Sequence, residues 1–104
     1  MPDFVVVFCT CPDRAEALRL AHAILEQRLA ACVNILPGIE SVYRWNEKVE
    51  TGSEVLLLIK TAAERFDALR QAILNLHSYQ TPEVIALPIV TGSEPYLAWL
   101  RSSL

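Results

Sequence analysis

Lysine, paired cysteines and long apolar runs are all scarce in this chain of 104 residues, and each scarcity closes off a class of function. Lys48 and Lys60 are its only lysines and the formal net charge is −3, so there is no basic face to follow a phosphate backbone and nucleic acid is not an expected partner. No stretch approaches the roughly 20 apolar residues of a membrane span, and Phe4 to Cys9 lacks the basic flank and length of a signal peptide. The expected compartment is therefore the cytoplasm, with no membrane partner. Cys9, Cys11 and Cys32 are odd in number and include no Cys-x-x-Cys spacing, which argues against a disulfide framework and a zinc knuckle and for reduced thiols. Linkers, low-complexity tracts and sequence repeats are also missing, so one domain is expected over residues 1–104. What the chain has in excess is apolar weight: 53% of its residues are hydrophobic and 20% charged. A domain of this size hides only about 60 to 70% of the surface its unfolded chain exposes. The surplus apolar surface points to an oligomer.

Phe4 to Thr10 is a continuous β-branched and aromatic run that ends before Pro12, the pattern of a central strand. Asp13 with Glu16 three residues on forms a capping-box-like pair, and Leu18, Ala21, Leu25 and Leu29 recur at helical spacing, predicting a helix over Arg14 to Leu29. Cys32 to Trp45 reads as a long strand bent at Pro37-Gly38, and Asn46-Glu47 as the turn of a hairpin. The return strand starts at Lys48, is interrupted near Gly52 and ends in the run Val55 to Lys60. Thr61 with Glu64 repeats the capping pattern ahead of a second helix whose stripe is Phe66, Leu69, Ile73 and Leu76. A short buried strand over Val84 to Ile89 and a terminal helix from Glu94, capped by Ser93 and carrying Tyr96, Leu97, Trp99 and Leu100, complete the order. Strand, helix, strand, strand, helix, strand is the split β-α-β arrangement. The predicted class is α+β, a ferredoxin-like βαββαβ sandwich with an extended hairpin and a short C-terminal helix.

The segment from His77 through Ser78, Tyr79, Gln80, Thr81, Pro82 and Glu83 to the apolar run ending at Ile89 crowds an imidazole, a phenol and a carboxylate before a rigid element. Taken alone, His77 reads first as a residue merely favoured at the negative end of a helix dipole. Together with Ala31-Cys32-Val33-Asn34-Ile35-Leu36-Pro37-Gly38-Ile39, Ser41-Val42-Tyr43-Arg44-Trp45, Leu57-Leu58-Ile59-Lys60-Thr61 and Tyr96-Leu97-x-Trp99, this segment resembles the CutA family over nearly the whole chain. The resemblance implies a divalent-cation tolerance protein associated with copper and other heavy metals. It further implies a homotrimer built through the long hairpin, with an assembly like that of the PII signalling proteins, which bind small effectors between subunits. No reaction is implied, so the expectation is a protein that is not an enzyme and carries no organic cofactor. Three departures stand out: Ser78 replaces the proline of a His-Pro-Tyr motif, Asn46-Glu47 replaces the glycine-containing turn of Trp-x-Gly-Lys, and Leu76 stands where some bacterial relatives carry a second histidine.

Within that resemblance Cys9 and His77 are the candidate metal ligands, with copper as the candidate ion, because a thiolate and an imidazole favour copper over magnesium or calcium. Two donors are rarely enough. Cys11 shares the face of Cys9 if the strand persists and offers a third, as does another subunit. The opposing reading of Cys9 is a small hydrophobe in a central strand. Cys32, Trp45, Lys60, Tyr79 and Glu83 are the candidates for an inter-subunit cleft, where Lys60 beside Trp45, Tyr79 and Glu83 would suit a small anionic effector; core comes first as the reading of Cys32, and an interface or core aromatic as that of Trp45. A salt bridge from Lys60 to Glu83 or Glu54 is the structural alternative. Glu47, Glu50 and Glu54 read as a solvated hairpin rim, and His22 as a surface or boundary residue. Two other functions are weighed: a scaffold trimer, and an acylphosphatase-like hydrolase. The hydrolase is disfavoured because Cys11-Pro12-Asp13-Arg14 offers a single arginine and no glycine for a phosphate cradle.

Overall fold

The computed structural model describes residues 3–104. The elements run β1 (Phe4–Cys11), α1 (Arg14–Glu26), β2 (Cys32–Trp45), β3 (Lys48–Ala62), a 3-10 turn (Ala63–Arg65), α2 (Phe66–Leu76), β4 (Ile85–Pro88) and α3 (Glu94–Ser102). They form one sheet in the order β2-β3-β1-β4 with every neighbouring pair antiparallel. This is the α+β ferredoxin-like pattern the residues predict.

Strict alternation along β1 builds the core. Val5, Val7, Cys9 and Cys11 turn one way and are buried, while Phe4, Val6, Phe8 and Thr10 turn the other way and are half-covered. Val55, Leu57 and Ile59 of β3 continue the buried face, and α1 and α2 close it with Ala17, Leu20, Ile24, Leu69 and Ile73. Each large aliphatic side chain removed from water here contributes roughly 1.5–3 kcal/mol. Asp13 caps α1 as expected, its carboxylate accepting from the Glu16 N–H at 2.8 Å. The apolar stripe, however, is offset from the one predicted. Glu16, Ala17, Leu20, Ala21 and Ile24 face inward, whereas Leu25 is exposed and the helix stops at Glu26. Arg28, at φ 57, then turns the chain back so that Leu29 reaches the core.

Neither later helix is capped by the predicted side chain. Thr61 is still in β3, where its hydroxyl donates to the Leu29 carbonyl at 2.7 Å, and α2 starts through the 3-10 turn. In α3 only Leu100 is buried; Arg101 lies 4.8 Å from the centre of the Phe4 ring and pairs with Glu64, anchoring the helix on the face of β1 opposite the core. The hairpin is more regular than the residues suggest. β3 runs through Gly52, which pairs with Ser41, and the one irregularity is a bulge between Leu36 and Ile39 where Gly38 adopts φ 75. The largest departure is β4. Its apolar run predicts burial, yet Ile85 to Pro88 is exposed throughout, because the strand pairs only with β1 and has an open edge.

Candidate metal centre and the adjoining cleft

Strand pleat brings the thiols of Cys9 and Cys11 to the same side of β1, beneath the helices and fully buried. His77 arrives from the other direction. It ends α2, its N–H donating to the Ile73 carbonyl at 2.8 Å, and its extended backbone turns the imidazole inward. The donor atoms of Cys9, Cys11 and His77 all lie within 4.8 Å of one another. Cys11, the conditional third donor, therefore joins the two residues named from sequence. Leu76 lies exposed outside the cluster.

Both imidazole nitrogens have partners. Nε2 donates to the Thr10 carbonyl at 2.7 Å, and Nδ1 accepts from the Tyr79 N–H at 3.0 Å, which puts the proton on Nε2. Glu16 stands 3.3 Å from Nδ1 through Oε2, the same oxygen that accepts from the Ser78 N–H at 3.0 Å. Hydrogen bonding with Cys11, followed by burial, pushes the Cys9 thiol far above the ordinary thiol range, so the resting site holds a neutral thiol. Two thiols and an imidazole suit a soft ion. To ligate one, His77 must release either the Thr10 carbonyl or the Tyr79 N–H, and Cys9 must lose its proton.

Glu16 is the member of this group that sequence reasoning missed. Its spacing from Asp13 reads as part of the helix cap, and its place in an i, i+4, i+8 series with Leu20 and Ile24 is the available sign of burial.

Of the five cleft candidates, three come together. Trp45, Tyr79 and Glu83 line a cavity of about 710 Å³ between the hairpin and the loop leading from α2 to β4, along with Tyr43, Glu50 and Glu54. Tyr79 donates its hydroxyl to Glu54 at 2.8 Å, and burial together with that carboxylate raises its phenol above the usual range. Lys60 and Cys32 do not line this cavity. They sit opposite each other on β3 and β2, where the Lys60 ammonium bonds to Asn34 and Cys32 neighbours Tyr96. Register explains the separation: Lys60 is near the end of β3 far from the hairpin turn. Neither of the anticipated Lys60 salt bridges, to Glu83 or to Glu54, is present among the described residues.

The profile of the CutA1 divalent ion tolerance proteins matches residues 5–103. The chain belongs to that family. Protein CutA, chloroplastic, of Arabidopsis thaliana is 50% identical over 99 residues, covering 95% of this chain and 54% of its own length. This chain therefore spans little more than half of that plant relative. The divalent-cation tolerance protein CutA of Pectobacterium atrosepticum is 49% identical over 102 residues, covering 98% of this chain and 93% of its own. The crystal structure of CutA1 from Oryza sativa superposes with a TM-score of 0.95 at 50% identity, covering 98% of this chain and 94% of that one. A periplasmic divalent cation tolerance protein CutA from Archaeoglobus fulgidus superposes at 0.94 with 38% identity, over 96% of this chain and 97% of that one. Among the described residues no helix is long and apolar enough to cross a membrane.

Proposed function

We propose that this chain is a cytoplasmic, homotrimeric protein of divalent-cation tolerance that binds copper or another soft heavy-metal ion through Cys9, Cys11 and His77, without a catalytic step. The observation that carries the metal reading is the convergence of two thiols and an imidazole within 4.8 Å among buried residues. Soft donors select soft ions, and burial excludes the water that a magnesium or calcium site would keep. The names of the relatives, tolerance proteins for divalent cations, agree with this reading. Support for assembly comes from the apolar side chains left uncovered on β4, the hairpin and α3.

A competition titration tests the metal site. Copper(I) is delivered under reducing conditions against a chromophoric chelator, with Cys9→Ala, His77→Ala and Glu47→Gln as variants. Losing one of three donors is expected to weaken binding by at least about tenfold, whereas the exposed Glu47 contributes only screened attraction and its loss leaves affinity unchanged. Parent-like affinity in both Cys9→Ala and His77→Ala would overturn the proposal.

A further inference from the structure

Among the described residues Glu16 is the single buried carboxylate, only 5% exposed. A carboxylate out of water needs partners for its oxygens. Oε1 has the Arg19 guanidinium at 3.7 Å, from a side chain that is mostly in solvent. Oε2 faces the loop that follows α2: it accepts from the Ser78 N–H at 3.0 Å and stands 3.3 Å from Nδ1 of His77. Capping does not account for this placement. A capping-box glutamate reaches back to the N–H of its own cap residue, whereas Glu16 reaches across to the chain that carries a candidate ligand. Its backbone is fixed, because its N–H donates to Asp13 at the start of α1. The carboxylate is not a member of the converging donor set of Cys9, Cys11 and His77; it stands on the Nδ1 side of the imidazole.

The two ring nitrogens have different surroundings. Nε2 lies against the Thr10 carbonyl on β1, between Cys9 and Cys11 in the chain, so it is the nitrogen that an ion held by those thiols meets. To offer a lone pair from Nε2, the neutral ring must carry its proton on Nδ1. There the Tyr79 N–H, itself a donor, opposes the proton, while Oε2 of Glu16 can accept it. A histidine that ligates through one nitrogen is oriented by the bond its other nitrogen makes to an acceptor such as a carboxylate. We propose that Glu16 is the positioning residue of the metal centre, accepting a hydrogen bond from Nδ1–H of His77 so that Nε2 presents its lone pair to the ion, while its bond from the Ser78 N–H holds the loop in place. This inference rests on the metal reading of Cys9, Cys11 and His77.

Copper(I) titration of the full chain under reducing conditions, against a chromophoric chelator, tests this together with nitrogen-15 spectra of the His77 ring, whose two shifts show which nitrogen carries the proton. The metal-free parent is expected to carry it on Nε2 and the loaded parent on Nδ1. Glu16→Ala is expected to weaken copper binding by about 10- to 100-fold. Glu16→Gln, which keeps the shape and one acceptor oxygen but not the charge, loses a smaller factor. Glu26→Gln, at the exposed end of α1, leaves the affinity unchanged. A melting curve on each sample checks the fold, and Glu16→Gln carries the test if the alanine variant does not fold. Parent-like affinity in the folded Glu16 variants, or a loaded parent whose ring proton stays on Nε2, would overturn the role of Glu16 and leave the metal site standing. A parent that takes up no copper would instead remove the metal reading, and this inference with it.

Discussion

Cys9 concentrates the chemistry of the candidate metal site. The partner Cys11 and the surrounding core hold its proton on, and a metal takes only the thiolate, so loading expels that proton. Copper affinity is expected to rise between about pH 6 and pH 8, by roughly a decade per pH unit for each proton expelled, in a chelator competition. A flat profile would contradict thiolate ligation. The same upward shift fixes the sign of the stability profile of the metal-free protein. The fold favours the neutral thiol, so this stabilisation is complete below the ordinary thiol value near pKa 8.5 and is lost as pH rises above it, where the unfolded chain ionises and the folded one does not. Urea unfolding should show a midpoint that drops between about pH 8 and pH 10, and drops less in Cys9→Ala. His77→Ala leaves the Thr10 carbonyl and the Tyr79 N–H without their partner, at an expected cost of about 1–3 kcal/mol in the same assay, with the fold retained. At this scale Cys9 and His77 were legible through the family resemblance, and Cys11 through the two-residue repeat of a strand. Glu16 was not, because an acidic residue three positions after Asp13 satisfies a capping pattern whether or not the fold goes on to bury it.

The hairpin is the element that best separates what a pattern of residues determines from what it leaves open. β2 and β3 pair from Cys32↔Lys60 to Trp45↔Lys48, and their length was readable from the apolar runs on either side of Asn46-Glu47. The Pro37-Gly38 break became a bulge, since glycine takes the positive φ there without strain. The turn carries strain of its own. Asn46 and Glu47 sit at φ 50 and φ 65, and a side chain such as that of Glu47 costs roughly 1 kcal/mol in this region while glycine does not. Glu47→Gly is therefore expected to stabilise the protein by about 1 kcal/mol in chemical unfolding, with the copper titration unchanged. β4 shows where the pattern stops being informative. An apolar run states that a strand wants cover, but not whether its own helices or another chain supply it, and Ile85 and Leu87 are 52% and 42% exposed. Lys60 illustrates the same limit across strands: its neighbours are set by register, which composition does not reveal.

The whole molecule is elongated, 44 × 26 × 23 Å, with the hairpin extending beyond the helices that cover β1 and β3. Val42 on β2, Val49 on β3 and Val90 beyond β4 are 67%, 66% and 89% exposed, and Trp45 and Trp99 are about half exposed. Apolar surface of this extent along an edge strand and a projecting hairpin fits the proposed trimer, in which each chain supplies the cover its neighbour lacks. Light scattering at low concentration should return three chains per particle, and a predominant monomer would remove the assembly from the proposal. Thiol counting on denatured protein prepared without oxidant should find all three cysteines free, as they are in the structure, where β3 separates Cys32 on β2 from β1 and the neighbouring Cys9 and Cys11 are not bonded to each other. The most direct test joins assembly to site: native mass measurement of protein loaded with copper(I) under reducing conditions. The expected species is a trimer retaining one copper ion per chain, with copper absent from the Cys9→Ala trimer; a trimer that retains no copper, or retains it equally in Cys9→Ala, would contradict the account.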